Sequence, residues 1–203
     1  MDSNMKEPTF NTDTPQNWFI NGVYHREDGP ACVWKDGTKY WYKYGNLHRD
    51  DGPAIVYPNG SKEWYKDGFR HRTDGPAIIC SYEQRWYKNG EKHREDGPAY
   101  IHLNGHKAWY KNGLYHRENG PAIIYPDGTQ YHYLNGEKHR EDGPAVIMAN
   151  GNQHWYKNNK CHREDGPAII SADGTKSWFI NGEEVQPPSK FTINTQFNIR
   201  DGF

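Results

Sequence analysis

Apolar and polar positions recur along this chain with one fixed period. The motif His-Arg-x-Asp-Gly-Pro-Ala begins at His25, His48, His71, His93, His116, His139 and His162, with Asn119 once in place of the Asp. An aromatic position leads each copy by seven residues, at Trp18, Trp41, Trp64, Trp86, Trp109, His132 and Trp155, and Trp178 opens a partial eighth copy. The step is 23 residues except between Trp64 and Trp86, where it is 22. Units this short cannot bury an apolar face alone, so the period predicts a stack in which each unit is completed by its neighbours.

Within a unit the pattern has period two, the signature of strands. The aromatic segment, residues 62–66 for example, reads as a first strand. It closes on Asp67-Gly68, matched by Asn21-Gly22, Asn89-Gly90, Asn112-Gly113, Asn135-Gly136 and Asn181-Gly182, pairs that adopt positive φ readily; unit seven has Asn158-Asn159. A second strand starts at the Pro-Ala step (residues 53–57) and turns back at Asp36-Gly37, Asn59-Gly60, Asn104-Gly105, Asp127-Gly128, Asn150-Gly151 and Asp173-Gly174. The short unit has Ser81-Tyr82-Glu83-Gln84 there, which predicts a local register irregularity. The expected fold is all-β: one elongated antiparallel meander of tandem β-hairpin repeats, about 14 to 16 strands at two per unit. Residues 18–182 hold seven repeats and the partial eighth, and residues 1–17 are a poorly structured leader. Residues 183–203 are a tail whose alternating stretch from Phe191 to Ile199 reads as a capping or chain-pairing strand. On the second strand Ala54 and Val56 share a face that reads as tightly packed. The opposite face carries Cys32, Ile55, Ile78, Tyr100, Ile123, Val146 and Ile169. Farther along it lies the variable row of Trp34, Tyr57, Cys80, His102, Tyr125, Met148 and Ser171, a surface on which a partner could lie.

Composition refines this picture. Only 33% of residues are hydrophobic, yet 8 Trp and 15 Tyr are present, so flat aromatic side chains must supply most of the buried area. The formal net charge is -1 and no long run of one sign occurs, which argues against charge-driven nucleic-acid binding. Three widely spaced cysteines form no disulfide framework, and neither a secretory leader nor a membrane-length apolar run is visible. These features predict a cytoplasmic protein without membrane insertion.

The repetition decides how the His, Arg and Asp are read. Catalysis needs one constellation with unequal environments, whereas seven equivalent copies are a frame. No enzymatic activity and no cofactor are therefore expected. Equivalent histidines two strands apart, roughly 9.6 Å, cannot converge on one metal ion, so His25, His48, His71, His93, His116, His139 and His162 read as structural. The exchange of Asp for Asn119 points to a side-chain oxygen that closes an Asx turn. The Arg is expected to pair with the variable residue that follows it, such as Glu27 or Glu95, or to stack on an aromatic ring. A ligand role for the arginines would be an anion-binding ledge at Arg72, Arg94, Arg117 and Arg140, taking a nucleotide signal, another phosphate-bearing molecule or a single-stranded nucleic acid. The leading expectation is another protein as partner, bound by an adaptor or inhibitor of bacterial or phage origin. The two residues before each His vary while the frame stays constant, and they read as exposed loop tips. Phe69, Leu114 and Tyr115 are the large members there, and with Trp34, Tyr57 and Tyr125 they form the candidate partner-binding set.

The frame W-Y-x-N-G-x-x-H-x-x-x-G, followed about ten residues later by D-G or N-G, resembles the MORN repeat, most closely its bacterial and phage-type variant. The resemblance covers about residues 18–182. It implies β-hairpins in an elongated twisted sheet and roles in scaffolding, protein interaction, dimerisation and, in some members, lipid contact. Here Arg26, Arg49, Arg72, Arg94, Arg117, Arg140 and Arg163 follow the His where the MORN pattern has Gly, and a Pro-Ala step is added.

Overall fold

The structure, a computed structural model, describes residues 15–187. Those residues are all-β. Sixteen short strands form one antiparallel sheet that runs from Gln16–Asn17 to Glu183–Val185 without closing into a barrel. Gln16 and Asn17, expected in the leader, are its first strand, paired with Val33 and Cys32. The stretch from Phe191 to Ile199 lies outside the described residues.

Each unit gives this sheet the two expected strands and adds two further short segments outside it, because the aromatic segment changes partner at its Trp. Lys39–Tyr40 pairs within the large sheet, whereas Tyr42–Lys43 pairs with Asn46–Leu47 in a separate two-stranded hairpin. Seven such hairpins line the sheet. The Trp backbone explains the break: Trp41 N–H donates to the Ala54 carbonyl (2.8 Å), while its own carbonyl accepts from His48 N–H (3.1 Å). One peptide group thus faces the sheet and the next faces the hairpin. The residue pairs before each His, expected as loops, are the second strands of these hairpins.

The two families of turn have different chemistry. Asn21 (φ 48°) and Gly22 (φ 80°) are both left-handed, a type I′ turn that joins the hairpin strands. Unit two places Tyr44 at φ 49° in the same position, without the Asn or Asp of the other units, and its ring stacks on His25 at 4.3 Å. At the far turns only the Gly is left-handed. Gly37 N–H bonds to the Trp34 carbonyl (2.9 Å), Trp34 N–H bonds to the Thr38 carbonyl (2.9 Å), and Asp36 Oδ1 accepts Thr38 N–H (2.8 Å). The short unit closes instead on the two residues Ser81 and Tyr82, with Cys80 N–H bonded to the Glu83 carbonyl at 3.0 Å. Ile78 still faces Arg85 as Ile55 faces Glu63, so the expected register irregularity does not occur. The missing residue is absorbed in the turn.

Burial also differs from the expected division of faces. Ala31, Ala54, Ala77, Ala99, Ala122, Ala145 and Ala168 are wholly buried, but Val56 two residues on is only half-buried. On the opposite face Cys32, Ile55, Ile78, Ile123 and Val146 are buried. The hairpin tyrosines cause this: Tyr110, Ile123, Ala99 and Ala108 form one cluster, flanked by Trp86, Tyr100, Tyr115, Tyr131 and Tyr133. Size is matched across strands. Tyr100, standing where other units have Ile, Val or Cys, faces Ala108, where full units have Tyr, Glu, Arg or His.

Candidate functional site

The His, Arg and Asp of the His-Arg-x-Asp-Gly-Pro-Ala motif make recurring contacts. In all seven units the His Nδ1 accepts the backbone N–H of the next unit's left-handed turn residue, at 3.1 to 3.3 Å. The histidines are therefore the rivets between hairpins. In six units Nε2 faces the variable acid, as His48 faces Asp50 at 3.1 Å and His139 faces Glu141 at 3.0 Å, and unit three has Thr73 there.

The arginines lie flat on the tryptophans. Arg94 Cζ is 4.1 Å from the Trp86 ring centre, Nε donates to Asp96 (2.8 Å), and Nη1 donates to the Pro98 carbonyl (3.3 Å). The same arrangement holds at Arg49, Arg72 and Arg163. So the Asp serves the Arg, in place of the Asx turn read from Asn119, and the Arg pairs with the Asp and not with the variable residue before it. Hydrogen bonding and charge from the Arg hold Asp28, Asp51, Asp74, Asp96, Asp142 and Asp165 below the ordinary carboxylate range. At the one Asn, Gly120 moves to φ 119° while Arg117 keeps its Trp109 stack (3.9 Å) and its bond to the Pro121 carbonyl (3.1 Å).

The motif Gly is set by the Arg as well. A Cβ on Gly75 would lie 3.1 Å from Arg72 Cζ, and the guanidinium is held on its other face by Trp64 at 4.0 Å. Gly75→Ala should therefore lower the urea unfolding free energy by about 1–3 kcal/mol through overpacking. Gly60→Ala meets no atom within 4 Å but must hold φ 83°, and its loss should be about 1 kcal/mol from backbone strain alone.

Between successive motif loops the outer surface carries repeated open clefts of about 770, 510, 700 and 670 Å³. Each mixes the pinned arginines with carboxylates; the third is lined by Arg72, Asp74, Lys88, Arg94, Glu95 and Asp96. Arg140 differs, because His132 occupies the Trp position and its Nε2 meets Arg140 Nη1 at 3.1 Å. Burial first, then the Arg140 charge, pushes the His132 pKa down to about 4.

The candidate partner-binding residues divide into two groups. Tyr115 is half-buried between Tyr110 (4.4 Å) and Tyr133 (5.3 Å), because the second residue of each pair points inward and packs on tyrosines. Tyr57 is half-buried, and its hydroxyl donates to Glu63, which also receives Tyr65 and Arg70. Burial and the Glu63 charge raise the Tyr57 pKa to about 12. Neither is a free tip. Phe69 (61% exposed) and Leu114 (51%) are, and they sit on the outer side of the hairpins opposite Lys66 and Lys111. Trp34 and Tyr125 are exposed at the far turns, on the face of the sheet that the tyrosines line, where Trp34 lies 6.3 Å from Tyr40 and Tyr125 stacks on His106 at 4.6 Å. Tyr44, Tyr82 and Leu103 are also exposed large side chains. They escaped the sequence reading because each sits in a turn slot that other units fill with small or polar residues.

Among the described residues no group of three or more His, Cys, Asp or Glu could hold a metal ion, and no helix is long and apolar enough to cross a membrane. In comparisons with known proteins, the chain matches no family model and no curated protein.

Proposed function

We propose that this chain is a non-enzymatic protein-interaction module, an adaptor or inhibitor of bacterial or phage origin acting in the cytoplasm. The observation that carries the reading is the exposure of Phe69 and Leu114 on a constant frame. Of the five other equivalent positions one holds Val23 and the rest hold Asn46, Glu91, Glu137 and Lys160, so the fold does not need large apolar side chains there. Large apolar anchors dominate protein interfaces. The resemblance to the MORN repeat points the same way. The arginines, by contrast, are each engaged by a ring or a backbone carbonyl, and most also by a carboxylate, which leaves little capacity for a phosphate. The test is capture from a bacterial lysate, read by mass spectrometry for proteins and small molecules. Phe69→Ala with Leu114→Ala should reduce the recovered partner at least tenfold while leaving the unfolding curve within about 0.5 kcal/mol. Recovery of a phosphate-bearing small molecule, unaffected by these changes, would overturn the reading.

A further inference from the structure

The sheet face opposite the buried Ile55 row is open, and its composition is unusual. Cross-strand pairing sets Val33, Lys39, Val56, Lys62, Ile79 and Gln84 in one line across the first three units. The alternation of a β-branched aliphatic with Lys or Gln continues to Ile170 and Lys176. The aliphatic members are half-buried and the lysines exposed. No Asp or Glu stands in this line. The carboxylates of the far turns, Asp36, Asp127 and Asp173, are folded back onto the backbone N–H of Thr38, Thr129 and Thr175. A row of half-exposed Val and Ile on a sheet is a surface that proteins cover, and one sign of charge along it selects an anionic cover.

The pitch restricts what that cover can be. Aliphatic members recur every two strands, roughly 9.6 Å. An extended strand advances about 10 Å in three residues, but an odd step turns its side chain to the other face. A helix advances about 10.5 Å in seven residues and returns to the same face. With an apolar residue every seventh position and a carboxylate one turn later, it sets apolar against aliphatic and acid against Lys for three or four units. A second copy of this chain would instead bring lysines against lysines. A membrane surface would be expected to meet an aromatic belt, and this line has no Trp or Tyr.

We propose that this strip docks an acidic amphipathic helix of a partner protein, laid along the stack across units one to four. The proposal rests on the interaction-module reading and gives it a second surface, separate from Phe69 and Leu114. The probe is a labelled helical peptide of about 21 residues with Leu at every seventh position and Glu one turn later, titrated with the full chain by fluorescence anisotropy. The Glu peptide should bind at least tenfold more tightly than the same peptide with Lys for Glu. Lys39→Glu with Lys62→Glu, both exposed and harmless to the fold, should reverse that preference, and Ile79→Lys should abolish binding of both. Equal binding of the two peptides, or none, would overturn the proposal. So would a dimer in light scattering that Ile79→Lys dissolves, or tighter binding to phosphatidylserine vesicles than to the Glu peptide. Lysate capture separates the two readings. A protein partner that survives Lys39→Glu with Lys62→Glu sinks the strip alone, whereas no protein captured by the wild-type chain sinks the module reading.

Discussion

Replacing Arg94 with Ala should destabilise the protein by about 2–3 kcal/mol, a large effect for a side chain on the surface of a polar sheet. The guanidinium lies over Trp86 at 4.1 Å, a contact worth about 1–2 kcal/mol where it is partly desolvated. Its Nη1 bond to the Pro98 carbonyl, at 3.3 Å, is long for a charge-assisted bond and adds about 1 kcal/mol. The remaining contact, to exposed Asp96, adds order more than energy. Arg94→Lys should recover little, because an ammonium cannot lie flat on the indole while bridging the Asp and the carbonyl. Since each unit is held mainly by its neighbours, the loss should appear locally. Amide exchange should quicken in units four and five, around Trp86, Trp109 and Ala99, before it does in unit one. A change within 0.5 kcal/mol by urea unfolding would instead return the arginines to the pool of free cations and revive the phosphate-ledge reading.

The repeat, the all-β class and both sets of turns were legible because they depend on local chemistry: Gly and Asn where φ is positive, Pro at a strand start, Trp every 23 residues. What escaped depends on contacts between units. Period-two reading assigns Ala54 and Val56 to one face correctly, but it cannot show that burial falls off between them, from the wholly buried Ala54 to the half-buried Val56. Nor can it show that a hairpin tyrosine packs on the other face, as Tyr87 does with Ile78. The break at each Trp was hidden for the same reason, since it lies in which partner the peptide groups choose. Tyr115 looked like a tip because its neighbour Leu114 is one. The two alternate, and only one side of a hairpin two residues wide is free. The second face of the sheet, with Val56 and Lys62, was misread as core, and it is there that the lysine strip lies.

His132→Trp should stabilise the protein at pH 7 by about 1 kcal/mol and remove a step in its acid sensitivity. The slot is preserved around the exchange: His132 N–H still bonds to the Ala145 carbonyl (2.7 Å), and His139 N–H to the His132 carbonyl (3.2 Å). An indole there would restore the Arg140 stack found in the other six units, worth about 1 kcal/mol net of the lost Arg140–His132 hydrogen bond. The pH effect follows from linkage. His132 is buried and titrates near 4 in the folded chain, because desolvation and the Arg140 and Arg117 charges outweigh the opposing pull of Asp142; its ordinary value is 6.5. Above pH 6.5 the ring is neutral in both states and contributes no pH dependence. As pH falls from 6.5 toward 4 the unfolded chain takes up a proton that the folded chain refuses, so stability is lost through that window. Between pH 7 and pH 5 the loss from this group is about 2 kcal/mol, from roughly 1.36 kcal/mol per pH unit once the unfolded ring is protonated. His106 and His154, also lowered by burial, act in the same direction in both proteins and cancel in the difference. Urea unfolding at pH 7, 6 and 5 should therefore show the advantage of the Trp variant growing from about 1 to about 3 kcal/mol. A constant advantage would mean that His132 titrates normally, open to water and not sealed beneath Arg140.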